Sequence, residues 1–177
     1  TSADDSAQNK DIEEEPKETE KIQLEEQTEQ DLQVQAASYG WNKQGSNWYY
    51  INPQTKTKVS GWQKISGKWF YFSSAGWMQI GWQKVRGKWY YLGNDGKMVT
   101  GWQKINGTYY YFRGWGGMYR STFFQLGGET YYADADGKMV TGWLSKENQW
   151  YYFRENGAMY RNTFFTHLNN SYYADAN

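Results

Sequence analysis

The chain has 177 residues, with 19 basic and 19 acidic side chains, no cysteine and a single histidine. This inventory excludes a disulfide framework, a thiolate zinc site and a histidine metal cluster, and no run of about 18 apolar residues offers a membrane-spanning helix. A mean hydropathy of -1.00 beside 20% aromatic residues is contradictory only for a uniform chain, and this chain is not uniform.

Residues 1–38 carry 12 Asp and Glu against 3 Lys and hold no aromatic ring. Within "DIEEEPKETEKIQLEEQTEQDLQVQ", the apolar Ile22, Leu24, Leu32 and Val34 follow no sustained helical stripe. Low hydrophobicity with high net charge buries too little surface to offset the entropy of ordering. A disordered acidic linker is expected over 1–38. The start at Thr1, without an apolar leader, is what a secreted chain shows after signal removal or what an excised segment shows.

Residues 39–177 hold all 11 Trp, 17 Tyr and 8 Phe, and 16 Lys and Arg against 7 acidic residues. The overall neutrality is a cancellation, and the basic part favours anionic or phosphate-bearing partners. The rings recur with a period. Trp41, Trp62, Trp82, Trp102, Phe123, Trp143 and Phe164 fall 21, 20, 20, 21, 20 and 21 residues apart. Each unit opens on Gly-Trp or Thr-Phe and passes a turn such as Ser66-Gly67, Arg86-Gly87 or Asn106-Gly107. It then runs through three or four consecutive rings, turns again at a Gly, and closes on Met78, Met98, Met118, Met139 or Met159. Seven units result, the last breaking off at Asn177, so a longer natural chain is expected.

Two short aromatic or β-branched segments around an Asn-Gly type turn predict a β-hairpin. A lone hairpin is marginal in water, so the units are expected to stack into an all-β solenoid over 39–177. Alternation along a strand puts Trp69 and Tyr71 on one face and Phe70 on the other, and likewise Trp89 and Tyr91 against Tyr90. The middle ring and the Met are expected in the core, the thioether filling gaps between rings. Two Trp per unit exceed what packing requires. Rings of successive units can wall a box that holds a quaternary ammonium by cation–π attraction or stacks on a sugar.

The phrase "GWQKVRGKWYYLGNDGKMVTGW" at 81–102 resembles the choline-binding, or cell-wall-binding, repeats of Gram-positive surface proteins. It is also similar to glucan-binding repeats of secreted glucosyltransferases and to the short repeats of clostridial toxins. The resemblance covers about four fifths of the chain. It implies a superhelix of hairpins with a ligand site at each junction, where two Trp-position rings of one unit and a Tyr of the next enclose a trimethylammonium group. On this chain, that implies Trp41 and Trp48 with Tyr71, Trp62 and Trp69 with Tyr91 (or Tyr90), and Trp82 and Trp89 with Tyr111 (or Tyr110). It also implies an altered box at Trp102 and Tyr109, and one at Trp143 and Trp150 with Tyr173. The alternation argument favours the Tyr that shares a face with its own unit's Trp. The units at Phe123 and Phe164 carry Thr130 and Ser171 in place of the second Trp, so no complete box is expected from them. The resemblance further implies a secreted, cell-wall location and, as partners, choline or phosphocholine of teichoic acid or a polysaccharide such as an α-glucan.

Catalytic chemistry finds no foothold. His167 is expected in a loop, and Asp134, Asp136 and Gly137 match part of a calcium loop but lack its remaining ligands. The acidic residues of 39–177 mostly fall in turns, where solvent keeps them ionised. No enzyme, cofactor or metal is expected. Arg113, Arg120, Arg154 and Arg161 could meet sugar hydroxyls or wall phosphates. A structural spacer without small-molecule sites, a host-glycan binder and a single-stranded nucleic-acid binder are the competing classes. The last is disfavoured because the basic residues are spread over turns, so no nucleic acid and no membrane insertion are expected.

Overall fold

The structure, a computed structural model, describes residues 38–177; the linker expected over 1–38 lies outside them apart from Ser38. The described residues form seven antiparallel hairpins. They are β1 (Gly40–Gln44) with β2 (Asn47–Ile51), β3 (Gly61–Ile65) with β4 (Lys68–Phe72), and β5 (Gly81–Val85) with β6 (Lys88–Leu92). Next come β7 (Gly101–Ile105) with β8 (Thr108–Phe112) and β9 (Thr122–Leu126) with β10 (Glu129–Ala133). The last two are β11 (Gly142–Lys146) with β12 (Gln149–Phe153) and β13 (Thr163–His167) with β14 (Asn170–Ala174). The expected all-β solenoid of stacked hairpins is the architecture observed.

The two-residue turns explain the tightness of each hairpin. Arg86 and Gly87 have φ of 49° and 76°, and Asn106 and Gly107 have 49° and 81°. Positive φ at both central residues is the type I′ arrangement, whose twist matches that of the flanking strands. The register pairs Trp82 with Tyr91, Gln83 with Tyr90 and Lys84 with Trp89. One face therefore shows Trp82, Lys84, Trp89 and Tyr91, and the other shows Gln83, Tyr90 and Leu92.

After its second strand each complete unit folds back. Met98 bridges to Leu92 and the Val99 N–H donates to the Tyr91 carbonyl at 3.0 Å. The same Met reaches the preceding hairpin through its N–H. Met78 donates to the Trp48 carbonyl, Met98 to Trp69, Met118 to Trp89, Met139 to Tyr109 and Met159 to Thr130, at 2.7 to 2.9 Å. The rest of each junction is side-chain packing. Trp41 lies on Phe70 at 4.9 Å, Trp62 on Tyr90 at 4.8 Å, Trp82 on Tyr110 at 4.9 Å and Trp143 on Tyr172 at 5.0 Å between ring centroids.

The deepest core position is the residue two beyond the middle ring: Phe72, Leu92, Phe112 and Phe153 are the large side chains that lose essentially all solvent contact. The expected core rings and Met surround them. Phe70, Met118 and Met159 are buried, while Tyr90, Tyr110, Met78 and Met98 are half-buried. Phe112 lies beneath the returning Met118 of its own unit and Trp82 of the preceding one, at 5.8 Å.

Arg86 occupies a left-handed position that costs most L-residues about 1–2 kcal/mol and that Asn tolerates. Arg86→Asn is expected to raise the thermal midpoint, by the equivalent of about 1 kcal/mol. Asn106→Val is expected to lower it by a similar amount. Circular dichroism melts of the two variants beside the parent chain check both signs.

Candidate functional site: aromatic boxes between hairpins

The junction between the third and fourth hairpins shows the site in full. Trp82, on β5, meets Trp89, on β6, edge to face, with centroids 6.2 Å apart and planes at 85°. Tyr110, on β8 of the next hairpin, stands at 73° to Trp82. Met118 supplies a fourth side, fixed by its N–H bond to the Trp89 carbonyl at 2.9 Å. Together they line a cavity of about 350 Å³, with Arg120 and Asp136 also in its lining. Rings at near right angles wall one open-sided cavity, which suits a compact cation without N–H groups.

The junction between the sixth and seventh hairpins repeats the arrangement. Trp143 and Trp150 lie 6.1 Å apart at 88°, and Tyr172 stands at 73° to Trp143. The cavity here is about 580 Å³ and includes Phe165 and Tyr173. Trp41 and Trp48 form a third perpendicular pair, at 82°, closed by Phe70. At Trp102, Tyr131 closes from the next hairpin at 5.1 Å and 70°. The junction after Phe123 has no such box: Thr130 takes the second aromatic position and is buried, and the Arg161 guanidinium lies 3.4 Å from its hydroxyl.

Two repeat models match the chain. The choline-binding repeat matches residues 79–123 and 125–164, and the cell wall binding repeat matches 40–54 and 60–78. The chain belongs to the choline-binding repeat family. Choline binding protein F of Streptococcus pneumoniae is similar, with 42% identity over 72% of this chain and 44% of that one, and a TM-score of 0.69. CbpJ of the same species is 38% identical over 76% of this chain and 46% of that one, with a TM-score of 0.70. The choline-binding domain of pneumococcal CbpL is 25% identical over 79% and 75%, with a TM-score of 0.62. The chain thus spans under half the length of the first two. Among curated protein sequences, none is significantly similar to it.

Against this choline-binding frame, the expected site residues sort by face. The leading Trp meets the next hairpin at Trp41, Trp62, Trp82 and Trp143, and the second Trp shares its face, as Trp89 does with Trp82. The closing ring differs from the favoured choice. Tyr71, Tyr91 and Tyr111 stack beside the leading Trp of their own hairpins, at 5.0 to 5.1 Å. The rings that cross the junction are Phe70, Tyr90, Tyr110, Tyr131 and Tyr172, from the opposite face. The reason is geometric: in a stack of like-oriented units, the Trp face of one hairpin meets the other face of the next. Tyr173 pairs with Phe164 of its own hairpin at 4.8 Å, although it also borders the Trp143 cavity. Met118 enters the site as a wall as well as a filler.

Other expectations are refined. His167 is the last residue of β13, not a loop residue. Its Nδ1 shares a 2.8 Å hydrogen bond with the Tyr152 hydroxyl, because that strand position faces the preceding hairpin, as Ile65 and Val85 do. All four singled-out arginines are engaged, Arg120 by its Nε bond to the Ala135 carbonyl at 2.8 Å. Arg113 lies over Tyr119 at 3.9 Å, Arg154 over Tyr160 at 4.3 Å, and Arg161 bonds to Ala176 and Thr130. Asp134 caps its own turn, accepting from the N–H groups of Asp136 and Lys138 at 2.9 Å. The Lys97 backbone N–H, then the Lys97 ammonium, hold the Asp95 carboxyl below its ordinary pKa, again at a turn and away from the boxes.

Met118 is held from behind by Gly137 of the following hairpin. Gly137 has a φ of +81°, and a Cβ there would fall inside the van der Waals envelope of Met118 Sδ and Cε. A thioether end gives way more easily than backbone. Gly137→Ala is therefore expected to push Met118 towards the box and shift the ¹⁵N–¹H indole signals of Trp82 and Trp89. Gly107→Ala, with nothing within 4 Å of its added Cβ, is expected to leave them in place.

Proposed function

We propose that this chain is a non-catalytic anchoring module that attaches its protein to the Gram-positive cell surface by gripping choline on teichoic acid. Residues 39–177 form the module and 1–38 the linker to it. The observation that carries this reading is the perpendicular Trp82–Trp89 pair closed by Tyr110 and Met118 around one cavity. The similarity to pneumococcal choline binding proteins supports the choice of cation.

Magnitudes indicate how the module works. A cation–π contact gives about 0.5–1 kcal/mol at an exposed ring and about 2 when desolvated. Three rings around one trimethylammonium group, less the cost of association, correspond to millimolar affinity, near 4 kcal/mol. One such site holds nothing for long. Several boxes on one polymer convert later binding events into intramolecular ones and raise the overall affinity by orders of magnitude.

Choline titration of the chain, followed by tryptophan fluorescence and calorimetry, is expected to saturate in the millimolar range. Trp150 is 69% exposed, so Trp150→Ala removes a box wall without opening the core. Loss of one exposed wall worth about 1 kcal/mol weakens that site roughly fivefold, and the titration is expected to show its contribution shifted to higher choline while the circular dichroism spectrum is unchanged. Binding of dextran without choline would make the module a glucan binder. Silence with both would reduce it to a spacer.

A further inference from the structure

Arg120 differs from the other arginines of the repeats. Its Nε donates to the Ala135 carbonyl at 2.8 Å, which fixes the plane of the guanidinium. Among the described residues, its two terminal nitrogens meet no hydrogen-bond acceptor and no carboxylate. Arg120 lines the cavity formed by Trp82, Trp89, Tyr110 and Met118. The position two residues after the closing Met is Ile80, Thr100, Arg120, Thr141 and Arg161 in successive units. Of these five positions, two carry a guanidinium, Arg120 and Arg161. Arg161 faces a junction without a box, where it reaches Thr130. Arg120 alone stands beside a complete one.

Asp136 also lines that cavity and forms no ion pair with Arg120 among the described residues. The rim thus carries one separated positive and one separated negative group beside an aromatic box. A zwitterion with a quaternary ammonium at one end and a phosphate two carbons away matches that pattern. Guanidinium also binds phosphate oxygens in a two-pronged geometry that a lysine ammonium cannot copy.

We infer that Arg120 makes the Trp82 box selective for choline bearing a phosphate ester, with the ammonium among the rings and the phosphate on the guanidinium. This rests on the choline reading above and deepens it: the other boxes read the ammonium alone, and this one also reads the phosphate.

The test is a titration of the full chain with choline and, separately, with glycerophosphocholine, at pH 7.5 and low salt. The ¹⁵N–¹H indole signals of Trp82 and Trp89 are followed individually, assigned by Trp→Phe variants. In the parent chain, glycerophosphocholine is expected to bind this box about fivefold more tightly than choline, the scale of a partly exposed ion pair. Arg120→Gln is expected to erase that preference by weakening glycerophosphocholine, so that the two ligands bind this box alike. Lys84, at 5.9 Å over the Trp89 ring, gives the control for charge alone, and Lys84→Gln is expected to keep the preference. Equal binding of the two ligands in the parent chain, or a preference that survives Arg120→Gln or is lost equally in Lys84→Gln, overturns the role of Arg120 and leaves the choline box standing. Indole signals unmoved by either ligand overturn both.

Discussion

The contact of Trp82 with Tyr110 of the next hairpin, repeated at successive junctions, is what the remainder of the molecule depends on. Each sheet has only two strands, too few to be stable alone. Between hairpins the backbone contributes little beyond the single hydrogen bond from the returning Met. Cohesion must then come from side chains, and aromatic pairs contribute about 0.5–1.5 kcal/mol each beyond the area they bury. Trp meets two demands at once. It is large enough to lay one edge on the next hairpin's ring while leaving part of its face open. Core and proposed binding site are therefore the same residues seen from two sides, and a ligand bound in the box would stabilise the junction it occupies.

The irregular units show which part of this dual role is indispensable. At Phe123 the leading ring still lies on Tyr151 of the next hairpin, at 5.0 Å, so the packing contact survives the loss of Trp. The second position does not need a ring, since Thr130 fills it and its carbonyl still accepts the Met159 N–H. The same units add a ring elsewhere. Phe124 and Phe165 stand where other hairpins have Gln63 and Gln83, and they pack against Trp102 and Trp143 of the preceding units at 5.9 and 5.8 Å. A unit can lose its own box and still deepen its neighbour's. The alternation of units from Trp102 onward is thus a division of labour along the stack.

Much of this was legible in the sequence because it is local. The period, the hairpins, the left-handed turn at Asn106-Gly107 and the separation of Trp89 and Tyr91 from Tyr90 all follow from residues within one unit. The closing ring did not follow, because alternation says which rings share a face and not which face meets the neighbour. Only the stacking direction decides between Tyr91 and Tyr90. His167 was misplaced for a related reason: "THLNNS" reads as a polar loop, but Leu168 and Asn169 form the two-residue turn, with φ of 46° and 61°, which leaves His167 in the strand. Arg120 and Arg161 occupy the same position in the repeat. Their different surroundings depend on the preceding hairpin, Trp89 in one case and Thr130 in the other, about 30 residues away.

The chain already shows what its aromatic clefts do with cations. The Lys58 ammonium sits between Tyr49 and Trp77, at 4.1 and 4.3 Å from the two ring centroids, so that cleft is filled from within. The boxes have lysines nearby as well. Lys43, Lys84 and Lys104 lie 5.3 to 5.9 Å from Trp48, Trp89 and Tyr109, but each sits directly across its own hairpin from that ring. A primary ammonium is strongly hydrated and gains from keeping its three N–H groups in water, which favours the rim over the box. A quaternary ammonium has no N–H to satisfy and less hydration to lose. On the proposed function, the box would discriminate by desolvation, and the lysines that crowd its edge would not compete for its interior.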